Sequence, residues 1–159
     1  MESAERIISQ FYHSFQNKDH QGMHACYHPD LSFSDPVFQN LDYKKTCAMW
    51  HMLIERGKDL KLQYDNVQNH GDKITCNWEA FYTFSSTGNK VHNLITGTFI
   101  LEENKIIRHI DHFNFWKWSS MALGTTGTLL GWTSFVRSKV RKTALNSLEK
   151  FIKNHPVYQ

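Results

Sequence analysis

The chain of 159 residues has a mass of 18.7 kDa, is 40% hydrophobic and 14% aromatic, and carries a formal net charge of +3. This aromatic content excludes intrinsic disorder, and the low counts of 8 Gly and 3 Pro exclude collagen-like and low-complexity chains. No apolar run reaches the roughly 20 residues that a membrane-spanning helix needs.

The cellular compartment is predicted from the N-terminus and the cysteines. The first residues, MESAERII, include acids and lack the apolar stretch of a secretory signal. Cys26, Cys47 and Cys76 are widely spaced and odd in number, which disfavours a disulfide framework or a zinc ribbon. We therefore predict a cytoplasmic protein with reduced cysteines.

Helices dominate the first third of the chain. Apolar residues at positions 7, 8, 11, 12 and 15 recur at helical spacing, and Asp19 is a suitable cap for a second, short helix. The His-Pro-Asp segment at 28–30 is predicted to end that helix, because proline cannot continue it. A short strand with alternating apolar residues follows at 31–34, and Asp42 is the predicted cap of a third helix.

After Gly57 the apolar period changes from about 3.6 to 2, which indicates strands. Alternating residues predict strands at 60–64, 74–84, 91–101 and 105–115, joined by short turns. Strands joined by short turns pair antiparallel, and helices that precede such a sheet indicate the α+β class. Residues 1–118 are therefore predicted to form one α+β domain.

The remaining residues, 119–159, are predicted to be a glycine-rich apolar segment followed by a basic amphipathic helix. Residues 119–132 read as neither a good helix nor a strand. Residues 133–152 carry an apolar stripe, and the segment 137–153 contains six basic residues and one acid, a local charge of +5.

We expect this helix to dock on its own domain or on a dimer partner. The alternative is an interfacial helix on anionic lipid, with Trp132 and Phe135 at its front edge. A single terminal basic segment is not the basic face with interleaved aromatics that marks nucleic-acid binding, so no nucleic-acid partner is predicted.

Asp35 is the first candidate for chemistry. It follows an apolar strand and is flanked by Phe33, Val37 and Phe38, so its carboxyl group is expected to be partly desolvated. Desolvation raises the pKa of a carboxyl group and makes it a usable proton acceptor near neutral pH. The alternative is that Asp35-Pro36 only starts a turn.

His109 and Asp111 are the second candidate. Side chains alternate along a strand, so His109, Asp111 and Phe113 share one face, and Arg108 points to the other. An aspartate is rarely buried without a partner, and a His–Asp pair on a concave face suits acid–base work. The alternative is a pair on an exposed face.

Metal binding is not predicted, although two patterns were weighed. His20, His24 and His28 have i, i+4, i+8 spacing, but Gly22 and Pro29 weaken that helix. His109 and Asp111 supply two ligands of an iron(II) facial triad, and no third ligand follows in the usual order. Nucleotide, dinucleotide and serine-hydrolase motifs are absent from the sequence, so we expect no cofactor.

The ordered layout resembles the nuclear transport factor 2-like superfamily, in particular its SnoaL-like and ketosteroid-isomerase-like branches. The layout consists of an N-terminal helix with Phe11-Tyr12, a strand that ends in Phe33-Ser34-Asp35-Pro36, a helix after Asp42 and four antiparallel strands. The resemblance covers about residues 3–116. It implies a strongly curved sheet wrapped on a long helix as a cone, with an apolar pocket at one end, and a dimer.

The resemblance also implies roles for single residues. Tyr12 is similar to the isomerase tyrosine that donates to the oxyanion, Asp35 to its general base, and Asp111 to an aspartate of the SnoaL-like cyclases. The second oxyanion acid of the isomerase would fall near Gly97, which cannot donate, so steroid isomerisation is not implied. The limonene-epoxide-hydrolase pattern is not met either, because Arg108 lies on the opposite strand face.

We therefore predict a homodimer whose conical pocket binds a small hydrophobic molecule, with proton transfer of the isomerase or cyclase kind as the activity. The rival hypothesis is a non-catalytic ligand-binding or protein-interaction module, since one fold hosts all three. The outer sheet face, with Phe81 or Phe99, is predicted to be covered by a second subunit. The predicted catalytic residues are Asp35, Tyr12, Asp111 and His109, and the predicted ligand-binding residues are Phe33, Trp78, Phe113, Trp50 and Phe38.

Overall fold

Five strands form one curved, open sheet in the computed structural model, which describes residues 2–159, with side chains from residue 4 onward. The strands are β1 (Tyr27–Ser34), β2 (Lys61–Asn69), β3 (Ile74–Thr83), β4 (Lys90–Glu102) and β5 (Lys105–His112). Their order in the sheet is β1-β5-β4-β3-β2. The mixed class predicted from the change of period is therefore confirmed.

Six α-helices and one short 3₁₀ turn accompany the sheet in the described residues. They are α1 (Glu2–Gln16), α2 (His20–Ala25), α3 (Tyr43–Arg56), α4 (Phe115–Leu123), α5 (Thr125–Leu130) and α6 (Ser134–Lys153), with the 3₁₀ turn at Pro156–Tyr158. The Asp42 carboxylate accepts a hydrogen bond from the Lys45 N–H and caps α3, as predicted, and Gly57 follows the last residue of that helix. No helix in the described part of the chain is long and apolar enough to cross a membrane.

The two faces of the sheet differ sharply. Residues on the inner face are buried against α1 and α3, whose apolar stripes supply Phe11, Tyr12 and Trp50. Phe99 also lies on this inner face and is fully buried, so the prediction that it is exposed on the outer face is wrong. The period-2 alternation predicts two faces but does not say which one packs on the helices.

The first strand departs from the antiparallel prediction. β2 to β5 pair antiparallel, but β1 pairs parallel with β5, with Phe33 opposite His109. β1 is also longer than predicted and includes Pro29, where the register shifts between Tyr27 and Ser32. A proline is tolerated there because β1 is an edge strand and the shift leaves the proline outside the regular ladder.

Most of residues 119–132 lie in α4 and α5, which overturns the prediction of an irregular segment. α4 and α5 pack so closely that a Cβ atom on Gly127 would lie only 1.8 Å from the Ser119 carbonyl oxygen. A Cβ on Gly131 would lie 2.0 Å from the Ser119 hydroxyl. The glycines are therefore explained by helix contact, because only a residue without a side chain fits between the two backbones.

α6 docks on its own domain, as expected for its apolar stripe. Leu148 and Phe151 join the main core, and Val136 packs with Phe115 and Trp118 of α4 in a second apolar cluster. Trp132 and Phe135, just before and at the start of α6, stay outside this packing with 71% and 73% of their surface exposed. The apolar stripe of α6 is therefore buried, whereas the two aromatic side chains near its N-terminus are exposed to solvent.

Candidate functional site

A cavity of about 640 Å³ opens on the inner face of the sheet and is mainly apolar. Its walls come from the sheet, from α3, from the turn between β3 and β4, and from α4 to α6. Six of the predicted site residues line it, namely Asp35, Phe38, Trp50, Trp78, Asp111 and Phe113. The other three, Tyr12, Phe33 and His109, lie behind the wall.

The pairing of β1 with β5 brings the two carboxyl groups to the same wall. Phe33 pairs with His109, and Asp35 and Asp111 each follow two residues later along parallel chains. Side chains two residues apart on a strand share a face, so both acids follow the buried Phe33–His109 pair toward the cavity. This juxtaposition depends on the parallel register, which the sequence did not indicate.

The environment of Asp35 is apolar and partly enclosed. Its Oδ1 atom accepts hydrogen bonds from the backbone N–H groups of Val37 at 2.7 Å and Phe38 at 2.5 Å. Burial raises the pKa of Asp35 from 3.8 to about 7, with a smaller contribution from the nearby Asp111, although the two N–H groups act to lower it. Asp35 is therefore a carboxyl group that exchanges its proton near neutral pH.

Asp111 is held by two N–H donors. The imidazole Nε2 of His109 lies 3.0 Å from Oδ1, and the indole Nε1 of Trp78 donates to the same oxygen at 3.2 Å. Within residues 4–159 its other oxygen has no hydrogen-bond partner, and Asp111 lines the cavity. One oxygen is thus fixed by the protein, and the other is free for an occupant of the cavity.

The hydrogen-bond chain continues behind Asp111 through a residue that sequence reasoning missed. The Tyr27 hydroxyl lies 2.8 Å from His109 Nδ1 and accepts a hydrogen bond from Trp50 Nε1 at 2.9 Å. An indole N–H can only donate, so the Tyr27 O–H is left to donate to Nδ1, and Nε2–H then donates to Asp111. No local signal marks Tyr27, because its partners are 23 and 82 residues away.

The middle of this hydrogen-bond chain is enclosed by aromatic side chains. His109 is fully buried, with ring centroids of Phe99, Phe33 and Phe11 at 4.3, 5.0 and 5.5 Å. Burial also raises the pKa of Tyr27 well above its usual value of 10, so its hydroxyl remains a donor. His109 therefore positions Asp111 from behind rather than facing the cavity.

Tyr12 is not placed where the resemblance implied. Its hydroxyl is fully buried, has no hydrogen-bond partner among the described residues, and does not line the cavity. A Cβ atom on Gly97 would lie 2.9 Å from this oxygen, so Gly97 makes room for it. In this structure the Tyr12 hydroxyl therefore does not reach the cavity, and its role as a direct donor to a cavity occupant stays a prediction.

Tyr82 and Asn93 are among the polar side chains that line the cavity and that were not identified from the sequence. The Tyr82 hydroxyl accepts a hydrogen bond from Trp118 Nε1 at 2.8 Å, which leaves its own O–H free to donate. Asn93 is buried at 8% exposure and faces the cavity from β4. The alternating pattern placed both on strands, but only the tertiary structure shows which face is concave.

The two metal patterns weighed from the sequence do not form. α2 ends at Ala25 and His28 lies on β1, so His20, His24 and His28 share no helix face. Both ring nitrogens of His109 are within hydrogen-bond distance of protein atoms, Tyr27 on one side and Asp111 on the other. His109 therefore has no free lone pair for a facial triad.

Comparisons with known proteins identify the family and the fold of this chain. The family model of the SnoaL-like domain matches residues 8–109, well over half of the chain. No curated protein is similar enough in sequence to count as a relative.

Solved structures share the fold at low sequence identity. An NTF2-like protein from Burkholderia thailandensis superposes with a TM-score of 0.68 at 15% identity, over 77% of this chain and 98% of that one. IdmH from Streptomyces antibioticus, assigned as a polyketide cyclase, has a TM-score of 0.65 at 15% identity over 79% and 100%. An LEH-like epoxide hydrolase from M. tuberculosis has 0.62 at 16% over 80% and 94%.

The raised pKa of Asp35 predicts a pH-dependent stability. Between its ordinary pKa of 3.8 and about 7 the folded state holds a proton that the unfolded state has lost, so stability falls as pH rises through this range. Each pH unit corresponds to about 1.4 kcal/mol, which gives a loss of up to about 4 kcal/mol. Urea unfolding at pH 4 to 8 should show this loss in the wild type and not in Asp35→Asn. Stability curves that run parallel for the two proteins would contradict the raised pKa.

Proposed function

Since the chain belongs to the SnoaL-like domain family, we propose that it binds a small hydrophobic molecule in the cavity and transfers a proton on it, with Asp35 as the base. The observation that carries this proposal is the placement of two carboxyl groups, Asp35 and Asp111, on the wall of one apolar cavity. The IdmH likeness supports the fold alone, and the cyclase or isomerase class is our inference from the site.

Asp35 suits the abstraction of a proton from carbon next to a carbonyl group. A base is most effective when its pKa lies near the working pH, and burial brings the pKa of Asp35 to about 7. Its Oδ1 atom is held by two backbone N–H groups, which leaves Oδ2 to receive the proton. The C–H bond breaks to give an enolate, and Asp35 can return the proton to another carbon of the same molecule.

Asp111 suits the second role, which is to carry a proton to or from the occupant. Asp111 is hydrogen-bonded to His109, and His109 is hydrogen-bonded to Tyr27. These hydrogen bonds can adjust when Asp111 gains or loses a proton. His109 and Tyr27 act here as positioning residues, since neither lines the cavity.

A developing enolate oxygen needs a donor, and we assign this role to Tyr82 and Asn93. Both line the cavity, and the Tyr82 hydroxyl has its own proton to donate. Burial raises the pKa of Tyr82, so the hydroxyl stays protonated at neutral pH. We assign to these two side chains the role that the resemblance gave to Tyr12.

The rival is a non-catalytic binder of the same kind of molecule. An apolar wall is sufficient for binding, and a chain of Trp50, Tyr27, His109 and Asp111 that aligns one carboxylate is not required for it. The two hypotheses therefore differ in what Asp35 does once a molecule is bound. The substrate itself is left open as a small, mainly apolar carbonyl compound.

Hydrogen exchange tests the base directly. We expect the wild type in D₂O to accelerate deuterium uptake next to the carbonyl of one or more members of a panel of small aryl and alicyclic ketones, followed by NMR. Asp35→Asn should slow this exchange by about 10²-fold or more, because a positioned base contributes about 10²–10⁴-fold. Asp111→Asn should cost less, since an amide still donates a hydrogen bond.

Controls separate catalysis from folding and binding. Asp30→Asn removes an exposed carboxyl group on β1, the strand that precedes Asp35, and should leave exchange unchanged. Binding of the apolar dye 1-anilinonaphthalene-8-sulfonate should be similar in all four proteins. If Asp35→Asn exchanges as fast as the wild type while it binds the dye, ligand binding without catalysis becomes the better account.

Although α6 was expected to dock on its own domain, we also propose that the rim of the cavity contacts a membrane surface, which would be the source of the ligand. Leu130 and Phe135 line the cavity and are 47% and 73% exposed, and Leu129 and Trp132 beside them are 66% and 71% exposed. The Trp132 indole donates to the Leu129 carbonyl, which holds the ring next to this patch. Large exposed apolar patches mark interaction sites, and the basic residues of α6 suit anionic headgroups.

Vesicle sedimentation tests this rim. At low salt we expect the wild type to sediment with phosphatidylglycerol vesicles, and the double variant Trp132→Ser, Phe135→Ser to lose most of this binding. Lys139→Glu with Lys142→Glu should weaken it and remove its salt dependence. Val157→Ser, an equally exposed apolar residue elsewhere at 76% exposure, is the matched control. A wild type that stays in the supernatant would leave the basic helix with a docking role only.

We also propose that the chain forms a homodimer. The outer sheet face exposes Leu94 at 64%, Ile110 at 42% and Phe81 at 36%, and a two-fold partner would cover these side chains. The sheet face is remote from the cavity, which lies on the inner face. Dimer formation and ligand entry would therefore not compete.

Light scattering coupled to size exclusion checks the dimer. We expect a mass of twice the 18.7 kDa chain at micromolar concentration, and Leu94→Asp should shift it to the single-chain mass because a charge would be buried in the interface. A single-chain mass for the wild type would remove the dimer from this account.

A further inference from the structure

A group of histidines lies outside the cavity, where α3 meets the C-terminal tail. We propose that His51, Glu55 and His155 form a binding site for a divalent transition-metal ion, with Zn²⁺ as the best fit. This proposal is independent of the acid–base function and replaces the expectation, drawn from the sequence, that the chain holds no metal site. It rests on three ligand atoms that converge, on the hydrogen bonds behind them, and on the rings that hold them.

The three ligand atoms converge on one point. His51 and Glu55 are one turn apart on α3, and His155 follows the end of α6. The Nε2 atoms of His51 and His155 lie 3.9 and 3.8 Å from the same oxygen of Glu55, and the three ligand atoms lie within 4.8 Å of one another. Tetrahedral zinc with bonds of about 2.1 Å needs ligand atoms about 3.4 Å apart, so a closure of about half an ångström would bring Glu55 to this distance from each imidazole.

The hydrogen bonds behind the imidazoles leave the right nitrogen free. His155 Nδ1 lies 2.8 Å from the Phe151 carbonyl oxygen, which can only accept, so the ring proton is on Nδ1 and Nε2 keeps its lone pair. His51 Nδ1 lies 3.0 Å from the Tyr158 hydroxyl, which can accept a hydrogen bond from Nδ1–H in the tautomer that leaves the lone pair on Nε2. Metal-binding histidines characteristically donate their other ring N–H to such an oxygen.

Ring packing limits the freedom of both imidazoles. His155 stacks on Phe151 with ring centroids 3.8 Å apart, and His51 stacks on His20 at the same distance. The Nδ1 atom of His20 is buried and has no hydrogen-bond partner among the described residues. Imidazoles that are held in place lose little entropy when they bind an ion.

The donor set selects the ion. Two neutral imidazoles and one carboxylate suit zinc, with one position open to water, whereas Mg²⁺ and Ca²⁺ prefer oxygen ligands only. The site is at the surface, with the Glu55 side chain 58% exposed, and it is separate from the cavity lining. We therefore assign it a structural role, in which the ion clamps the tail after α6 to α3.

Metal titration tests the proposal on the full chain. Zn²⁺ should bind with one ion per chain in calorimetry and should raise the melting temperature, and Mg²⁺ at the same concentration should do neither. His155→Phe keeps a ring to stack on Phe151 but removes the nitrogens, and we expect it to weaken zinc binding at least tenfold and to abolish the thermal shift. Glu55→Gln should weaken binding similarly, because it removes the ligand charge.

A matched control separates this site from the other histidines of the chain. His13→Phe removes an exposed histidine on α1 and should leave zinc affinity and the thermal shift unchanged. Equal zinc affinity in the wild type and His155→Phe would overturn the proposal, as would the absence of a thermal shift in the wild type. Because no ketone exchange enters this experiment, its failure would not affect the proposed acid–base function.

Discussion

The parallel pairing of β1 with β5 is the constraint on which the site depends. A sheet made only from the meander β2 to β5 would place Asp111 on the concave face with no second acid beside it. The edge strand β1 brings Phe33 opposite His109, so Asp35, two residues after Phe33, lies level with Asp111. Parallel strands need a long crossover, and here α3, β2, β3 and β4 lie between the two partners in sequence. The pair of acids is thus a long-range product of the fold.

The two acids have different surroundings in the fold. Asp35 is surrounded by apolar side chains and receives only backbone N–H groups, so burial raises its pKa to about 7. Asp111 instead receives an imidazole and an indole N–H, and His109 behind it is enclosed by Phe99, Phe33 and Phe11. The aromatic content of the chain therefore serves two purposes, as core and as the low-dielectric wall in which hydrogen bonds to Asp111 are strong.

The C-terminal helices complete the cavity rather than adding a separate unit. α4 and α5 cross at van der Waals contact because Gly127 and Gly131 have no side chains, and α6 returns along α3 to bury Leu148 and Phe151. This arrangement sets Leu130 and Phe135 at the rim and brings His155 to Glu55 on the far side of α3. The same segment thus contributes to the cavity rim and to the histidine cluster.

The sequence by itself determined the class of fold, the approximate bounds of β3, β4 and α6, the cap at Asp42 and the shared face of His109, Asp111 and Phe113. These features depend on local periodicity and on single-residue preferences. It also selected Asp35 as the acid to examine. Local patterns could not decide the parallel partner of β1, the burial of Phe99 or the helices at 119–132. They also could not show that the Tyr12 hydroxyl lies outside the cavity. Each of these depends on which surfaces meet after folding. The hydrogen bonds of Tyr27 and the approach of His155 to Glu55 depend on the same long-range packing, so only the tertiary structure decided them.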